Sequence, residues 1–151
     1  MAHDRNDLEL TVDKFTFRLP KDLLYCEAGL WMRREGSLFR LGLSDFAQQR
    51  SGDIAFANLM TPGTVLEVDE EIASIETIKV NLSLPSPVKG KILEVNSGLQ
   101  ESPEWINRDP YGKGWLVVVE PDDVNETPRG ALDAQAYLEL ARRQAEAELE
   151  S

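Results

Sequence analysis

With one cysteine and one histidine in 151 residues, the chain lacks the side chains on which much protein chemistry is built. Cys26 alone cannot close an internal disulfide, and a lone thiol suits a reducing cytoplasm. His3 is the single imidazole, so neither a histidine-based triad nor a histidine-based zinc site has the groups it needs. Positive charge is scarce as well: 16 Lys and Arg stand against 27 Asp and Glu, a net charge of −11. Such a surface repels phosphate backbones and anionic lipid, so neither nucleic acid nor a membrane is expected as a partner. No apolar run reaches the length of a membrane-spanning helix. Residues 1–10 are polar and of mixed charge, without the apolar centre of a signal peptide or the Arg-rich, acid-poor bias of a transit peptide.

What remains is 42% hydrophobic, enough for one globular core. From Phe15 to about Val119, short β-type runs alternate with Gly, Pro, Asn and Asp. Strands are predicted at Leu38–Leu43, Ile54–Leu59, Glu71–Val80, Lys89–Val95 and Gly114–Glu120. Pro62-Gly63 and Asn96-Ser97-Gly98 supply turns, and Pro85 and Pro87 mark a corner because neither can donate to a sheet ladder. Two short helices interrupt the strands. One runs from Asp45 to Arg50, with Asp45 and Gln48 at capping-box spacing; the other spans Pro103–Asn107, with Ser102 as cap. From Asp133 onward Tyr137, Leu138, Ala141, Ala145 and Leu149 recur at helical spacing, and Glu139 and Arg143 stand four residues apart. This C-terminal helix is expected to pack on the β domain.

Chemistry concentrates in Glu76-Thr77-Ile78-Lys79-Val80 and the corner Pro87-Val88-Lys89-Gly90. The pattern resembles the lipoyl-attachment hairpin of the glycine-cleavage H protein family, where an acidic, a small hydroxyl and an apolar residue lead into the modified lysine. The resemblance continues in order through Leu41–Gln48, Gly52–Phe56, Glu94–Asn96 and Asn107–Leu116. A biotin carrier also places a lysine on a hairpin, usually between two methionines; Ile78 and Val80 stand here instead. Independently of any family, a carrier needs one amine at the tip of a rigid hairpin where a ligase and partner enzymes can reach it.

The resemblance implies a mostly β fold, a lipoyl-domain-like barrel-sandwich hybrid with two short helices and a C-terminal helix. It divides the chain into an N-terminal extension (1–14), a lipoyl-bearing domain (15–125) and a C-terminal helical segment (126–151). It also implies lipoate attached to Lys79, an attachment hairpin of Glu76, Thr77, Ile78 and Val80, and a carrier subunit rather than an enzyme. A lipoate-protein ligase or lipoyl synthesis enzymes would load the lysine. Glycine decarboxylase, aminomethyltransferase and dihydrolipoyl dehydrogenase would be the partners in glycine cleavage, and a carrier that visits several partners is expected to be a monomer.

One segment departs from the pattern. The family carries His-Glu-Trp near its start, with the glutamate close to the cleft that shelters the loaded arm; this chain reads Gly29-Leu30-Trp31. An acid there would favour an ammonium-bearing cargo, whereas Leu30 offers an apolar wall better suited to sulfur. With Leu30 and Trp31 taken as arm-cleft positions, the departure leans toward the related lipoate-binding proteins that serve sulfur oxidation with a heterodisulfide-reductase-like complex. Glycine cleavage stands beside it as the alternative, and a non-lipoylated interaction module as a third reading in which Lys79 would be dispensable. Trp31, Trp115 and Tyr111 are expected to close the core. Cys26 is expected to be a buried thiol rather than an exchange partner for the arm.

Overall fold

The computed structural model of the chain describes residues 7–150; His3 and the first part of the expected N-terminal extension lie outside them. The described residues form β1 (Asp7–Val12), β2 (Phe15–Pro20), β3 (Leu24–Tyr25), β4 (Leu30–Glu35), β5 (Leu38–Leu43), α1 (Asp45–Ser51) and β6 (Ile54–Leu59). There follow β7 (Val65–Leu66), β8 (Glu71–Thr77), β9 (Asn81–Pro85), β10 (Gly90–Val95), a 3-10 turn (Ser97–Gln100), α2 (Trp105–Arg108), β11 (Val117–Pro121) and α3 (Ala134–Glu150). A six-stranded sheet in the order β3-β4-β5-β11-β10-β7 packs against a three-stranded sheet β6-β8-β9, and β1 and β2 make a separate hairpin. This is the expected mostly β barrel-sandwich.

Alternation along β4 shows how one strand serves two cores, because successive strand side chains point to opposite faces. Leu30 and Met32 enter the core between the two larger sheets, with Leu41, Ile75, Ile92 and Val119. Trp31 points the other way, into a second core closed by Leu10 and Phe17 of the hairpin, Phe46 of α1, and Tyr137 and Ala141 of α3. Each fully buried aliphatic side chain contributes about 1.5–3 kcal/mol. Trp31 lies flat against Gly42, where an added Cβ would come within 2.5 Å of the indole ring. Its Nε1 donates to the Pro110 carbonyl at 2.8 Å, and the Tyr111 ring sits 6.0 Å away. Trp115 is half-buried on the same core under the Arg40 guanidinium. All three aromatics are structural, as expected.

Several predicted boundaries move. The strand expected to run to Val80 ends at Thr77, and the chain turns through Ile78 and Lys79 into β9. The strand expected from Gly114 begins at Val117. Helix α1 is capped by Ser44, whose Oγ accepts the Ala47 N–H at 3.1 Å, and not by Asp45. Asp45 instead accepts the Arg18 N–H of β2 at 2.8 Å and the Gln48 amide at 2.8 Å, tying the helix to the hairpin. The second helix starts at Trp105, after a turn in which the Ser102 carbonyl, not its side chain, accepts the Trp105 N–H. In α3 the Asp133 carboxylate caps the first turn by accepting the Ala136 N–H at 2.8 Å, and Glu139 faces Arg142 rather than Arg143. The expected boundary between residues 14 and 15 falls inside the β1–β2 turn, where Asp13 has φ 56°. Leu10 is buried and α3 packs along β1, so residues 7–14 belong to the second core.

Candidate carrier-lysine site

Lys79 sits in the turn between β8 and β9, and Thr77 builds that turn. The Thr77 N–H donates to the Val80 carbonyl at 2.9 Å, while its Oγ1 accepts the N–H groups of Val80 at 2.9 Å and Lys79 at 3.2 Å. A threonine two positions before the lysine thus satisfies backbone donors that a tight turn would leave unpaired. Ile78 is 97% exposed at the tip and Val80 is also exposed, an apolar pair that contributes nothing to the core. Glu76 lies on the outer face of the three-stranded sheet, where its carboxylate accepts from the Asn58 amide at 3.3 Å.

The ammonium of Lys79 reaches back to the end of α1 and donates to the Arg50 carbonyl at 3.1 Å. That end is held firmly. Gly52 closes the helix at φ 85°, a left-handed conformation that favours glycine. Asn107 braces the same point: its amide donates to the Gly52 carbonyl at 3.0 Å and to Gln48 at 2.9 Å, and its oxygen accepts the Ile54 N–H at 2.9 Å. The Arg50 side chain extends over the Phe46 ring and pairs with Glu148 and Gln144 of α3.

Two concavities flank Lys79. One, of about 310 Å³, is lined by Glu27, Gly29, Phe46, Val80, Tyr137 and Glu148 among others. The other, of about 320 Å³, opens toward the β1–β2 hairpin. A third concavity, of about 840 Å³, runs along α3 past Cys26, Ser86 and Arg129 and does not include Lys79. Cys26 is almost fully buried in the main core, and burial pushes its thiol up to about 11. A protonated, enclosed thiol is a poor exchange partner, in keeping with the expected structural role.

Leu30 and Trp31 are not where the resemblance put them. Both have no exposed surface, each in a different core, and neither lines a cleft beside Lys79. Gly29 does line one, and its own reason for being glycine is local: it has φ 105°, and a Cβ would meet the Ala47 Cβ at 2.7 Å. The carboxylates at that cleft are Glu27 and Glu148. Arg50, Phe46, Tyr137, Glu148 and Glu27 are site residues that sequence reasoning does not find; nothing in their local sequence marks them. Tyr137 is held by a 2.7 Å hydrogen bond with Ser44, and burial raises its phenol to about 12, so it stays neutral.

A single amine on an ordered hairpin turn, open to solvent and flanked by clefts, has what acylation by a lipoyl group requires: an accessible nitrogen and room for a long arm. Such a fold and site are those of a carrier domain.

Kinship with known proteins gives the kind of carrier. The family model described as glycine cleavage H-protein matches residues 23–144. The glycine cleavage system H protein of Oceanobacillus iheyensis is 44% identical over 119 residues, covering 79% of this chain and 94% of that one. That of Bacillus subtilis is 39% identical over 124 residues, covering 82% and 97%. Among solved structures, the glycine cleavage system H protein from Mycobacterium marinum superposes with a TM-score of 0.71 at 30% identity, covering 83% of this chain and 98% of that one. The chain belongs to the glycine cleavage H-protein family, whose members are carrier subunits with lipoate bound covalently to a lysine. None of these three relatives is named for sulfur oxidation, and the apolar wall that suggested it, Leu30, lies in the core. No helix among the described residues is long and apolar enough to cross a membrane.

Proposed function

We propose that the chain is the carrier of a glycine cleavage system, lipoylated on Lys79, which takes the aminomethyl group from glycine decarboxylase to aminomethyltransferase and is then reoxidised by dihydrolipoyl dehydrogenase. The observation that supports this most is the Lys79 amine at the tip of the Thr77–Val80 turn, beside a cleft whose ionisable lining includes Glu27 and Glu148. Bound through an amide at Nζ, a lipoyl group would supply a dithiolane that opens to take up the cargo and closes again on oxidation.

The remaining work falls to the protein. Thr77 orders the turn, so the amine is presented in one place. The Arg50 carbonyl can accept from an amide N–H as it does from the ammonium. Glu27 puts negative charge beside the position a cationic cargo would reach, a service that Leu30 cannot give, while Glu148 of the same cleft is paired with Arg50. The net charge of −11 steers the chain onto basic surfaces around partner active sites and onto a lipoate-protein ligase or lipoyl synthesis enzymes. A reducing cytoplasm suits the free thiol of Cys26, and a carrier that must turn the same tip to several enzymes works best as a monomer.

Co-expression with a lipoate ligase and lipoate, followed by intact mass, tests the reading. One lipoyl increment is expected, absent in Lys79→Arg, and the loaded protein should accept aminomethyl from glycine and glycine decarboxylase. An unmodified wild-type chain in the presence of a competent ligase would sink the proposal. A modified chain inert toward glycine decarboxylase would leave a lipoyl carrier of another pathway.

A further inference from the structure

Away from the clefts, the outer face of the three-stranded sheet changes character as it nears the Lys79 turn. Residues opposite each other on paired strands share a face, so Phe56 and Asn81 flank Glu76, with Asn58, Ser74 and Ser83 one row further from the turn. Phe56 is the one large apolar side chain in these two rows, and it is 63% exposed. It stands where the edge strand β6 slips register against β8, between Ile54 and Phe56. Bulges of this kind re-aim a side chain and keep an edge from pairing with another sheet, so the outward pose of Phe56 is built into the strand. Glu76, the neighbour that could shield the ring, is drawn back, because its carboxylate accepts from Asn58 on the side away from the turn. In the turn itself Ile78 is almost wholly exposed and Val80 is exposed as well. Large apolar side chains are thus clustered at this end of the sheet rather than scattered, and such a cluster marks an interaction surface.

We propose that Phe56, Ile78 and Val80 form the docking surface for the enzyme that acylates Lys79, and that they serve loading alone; the proposal rests on the reading of Lys79 as the lipoylated residue. The occupant follows from where the bond forms. Nζ bonds to the carbonyl carbon of an activated lipoyl donor as the donor's leaving group and a proton depart, so the loading enzyme must bring its active site within one lysine side chain of the turn. It cannot do so without covering Ile78 and Val80, the two chain neighbours of Lys79. Phe56 is the next apolar surface along the sheet, and the footprint runs from the tip onto this face. Its ring and the Ile78 side chain leave water only in that complex, which makes them a source of affinity that the free chain does not spend on its own core. The matching face of the enzyme is apolar opposite Phe56 and Ile78 and polar where it meets Asn58, Asn81 and Ser83. Enzymes that act on the dithiolane or its cargo meet the far end of a long arm and need not touch the turn, so the same three residues are dispensable to them.

The full-length apo chain is loaded in vitro by a purified lipoate ligase with lipoate and ATP, and the lipoyl mass increment is timed over a range of chain concentrations. Phe56→Ser and Ile78→Ser should each raise KM for the chain several-fold with little change in kcat, since the amine and the Thr77-built turn are left in place. Phe56→Leu, which keeps an apolar contact, should recover most of the loss. Val65→Ser, at a 67% exposed position on β7 in the other sheet, should behave as wild type. All these positions are exposed, and urea midpoints check that each variant folds before its kinetics are read. Once fully loaded, the Phe56 and Ile78 variants should show the wild-type KM as substrates of dihydrolipoyl dehydrogenase, with NADH reducing the dithiolane to the dithiol. Wild-type loading kinetics in both serine variants would overturn the docking surface, as would an equal rise in KM for ligase and dehydrogenase, and either result leaves Lys79 as the attachment site. No lipoyl mass on the wild-type chain, or a mass that survives Lys79→Arg, removes the Lys79 reading itself and the docking surface with it.

Discussion

The ε-ammonium of Lys79 and the main-chain carbonyl of Arg50, 29 positions apart, are joined by a 3.1 Å hydrogen bond. The lysine proposed to carry the arm is thus tethered to the C-terminal end of α1. Acylation removes its charge but leaves one N–H, so the same contact can set where the arm begins.

Thr77→Val keeps the shape of residue 77 and removes its hydroxyl. Two backbone N–H groups of the turn then lose their acceptor. Since the turn is exposed, the stability cost should stay near 0.5–1.5 kcal/mol. Lipoylation by a ligase should slow several-fold because the amine is presented less consistently. An unchanged ligation rate, measured by intact mass over time, would show that the hydroxyl has no part in presentation.

Leu30→Glu restores the family's acid at a position with no exposed surface. A carboxylate in that core has no partner, and loss on the order of 3–5 kcal/mol is expected. Urea unfolding gives the answer directly. Tolerance of the change within about 0.5 kcal/mol would mean that residue 30 faces solvent or the cleft.

Ser44 and Tyr137 couple α1 to α3 through their 2.7 Å hydrogen bond. Tyr137→Phe removes one hydroxyl and should cost about 0.5–1.5 kcal/mol. Ser44→Ala removes the same bond, strands the buried phenol and uncaps α1, and should cost more, by roughly a further 0.5–2 kcal/mol. Denaturant midpoints for the two variants would refute this ordering if Tyr137→Phe proved the worse.

The Cys26 thiol, raised by burial from 9.0 to about 11, stays protonated in the folded chain where the unfolded chain has already ionised. An acid with a raised folded pKa loses stability as pH climbs through the window between its unfolded and folded values. Stability should therefore fall between about pH 9 and 11 with a Cys26 contribution of up to ~1.4 kcal/mol per unit. Cys26→Ala should lack that part of the slope. Identical slopes for the two proteins in this window would place the thiol in contact with water.

Much of the fold can be read from local pattern. Leu38–Leu43 and Ile54–Leu59 have the bounds that the sequence predicts, because their flanking turn residues act over only a few positions. Leu8, Leu10 and Val12 alternate with Glu9 and Thr11, so β1 also carries a signal, hidden by the absence of Gly or Pro in its turn; Asp13 takes the positive φ instead. The error at Leu30 has a different origin. Likeness to a family shows which residue replaces which, yet a strand between two cores gives no local mark of which face meets a cleft.

The family and the lysine proposed for attachment can both be read in the one-dimensional chain, because the pattern that marks them is contiguous. The surroundings of that lysine cannot. Arg50 meets Glu148 across 98 positions, and Phe15 and Leu149 share a slot only because α3 packs back over the β1–β2 hairpin. Burial of Leu10, Phe17, Tyr137 and Ala141 drives that packing, a long-range hydrophobic contact whose outer edge no local spacing specifies.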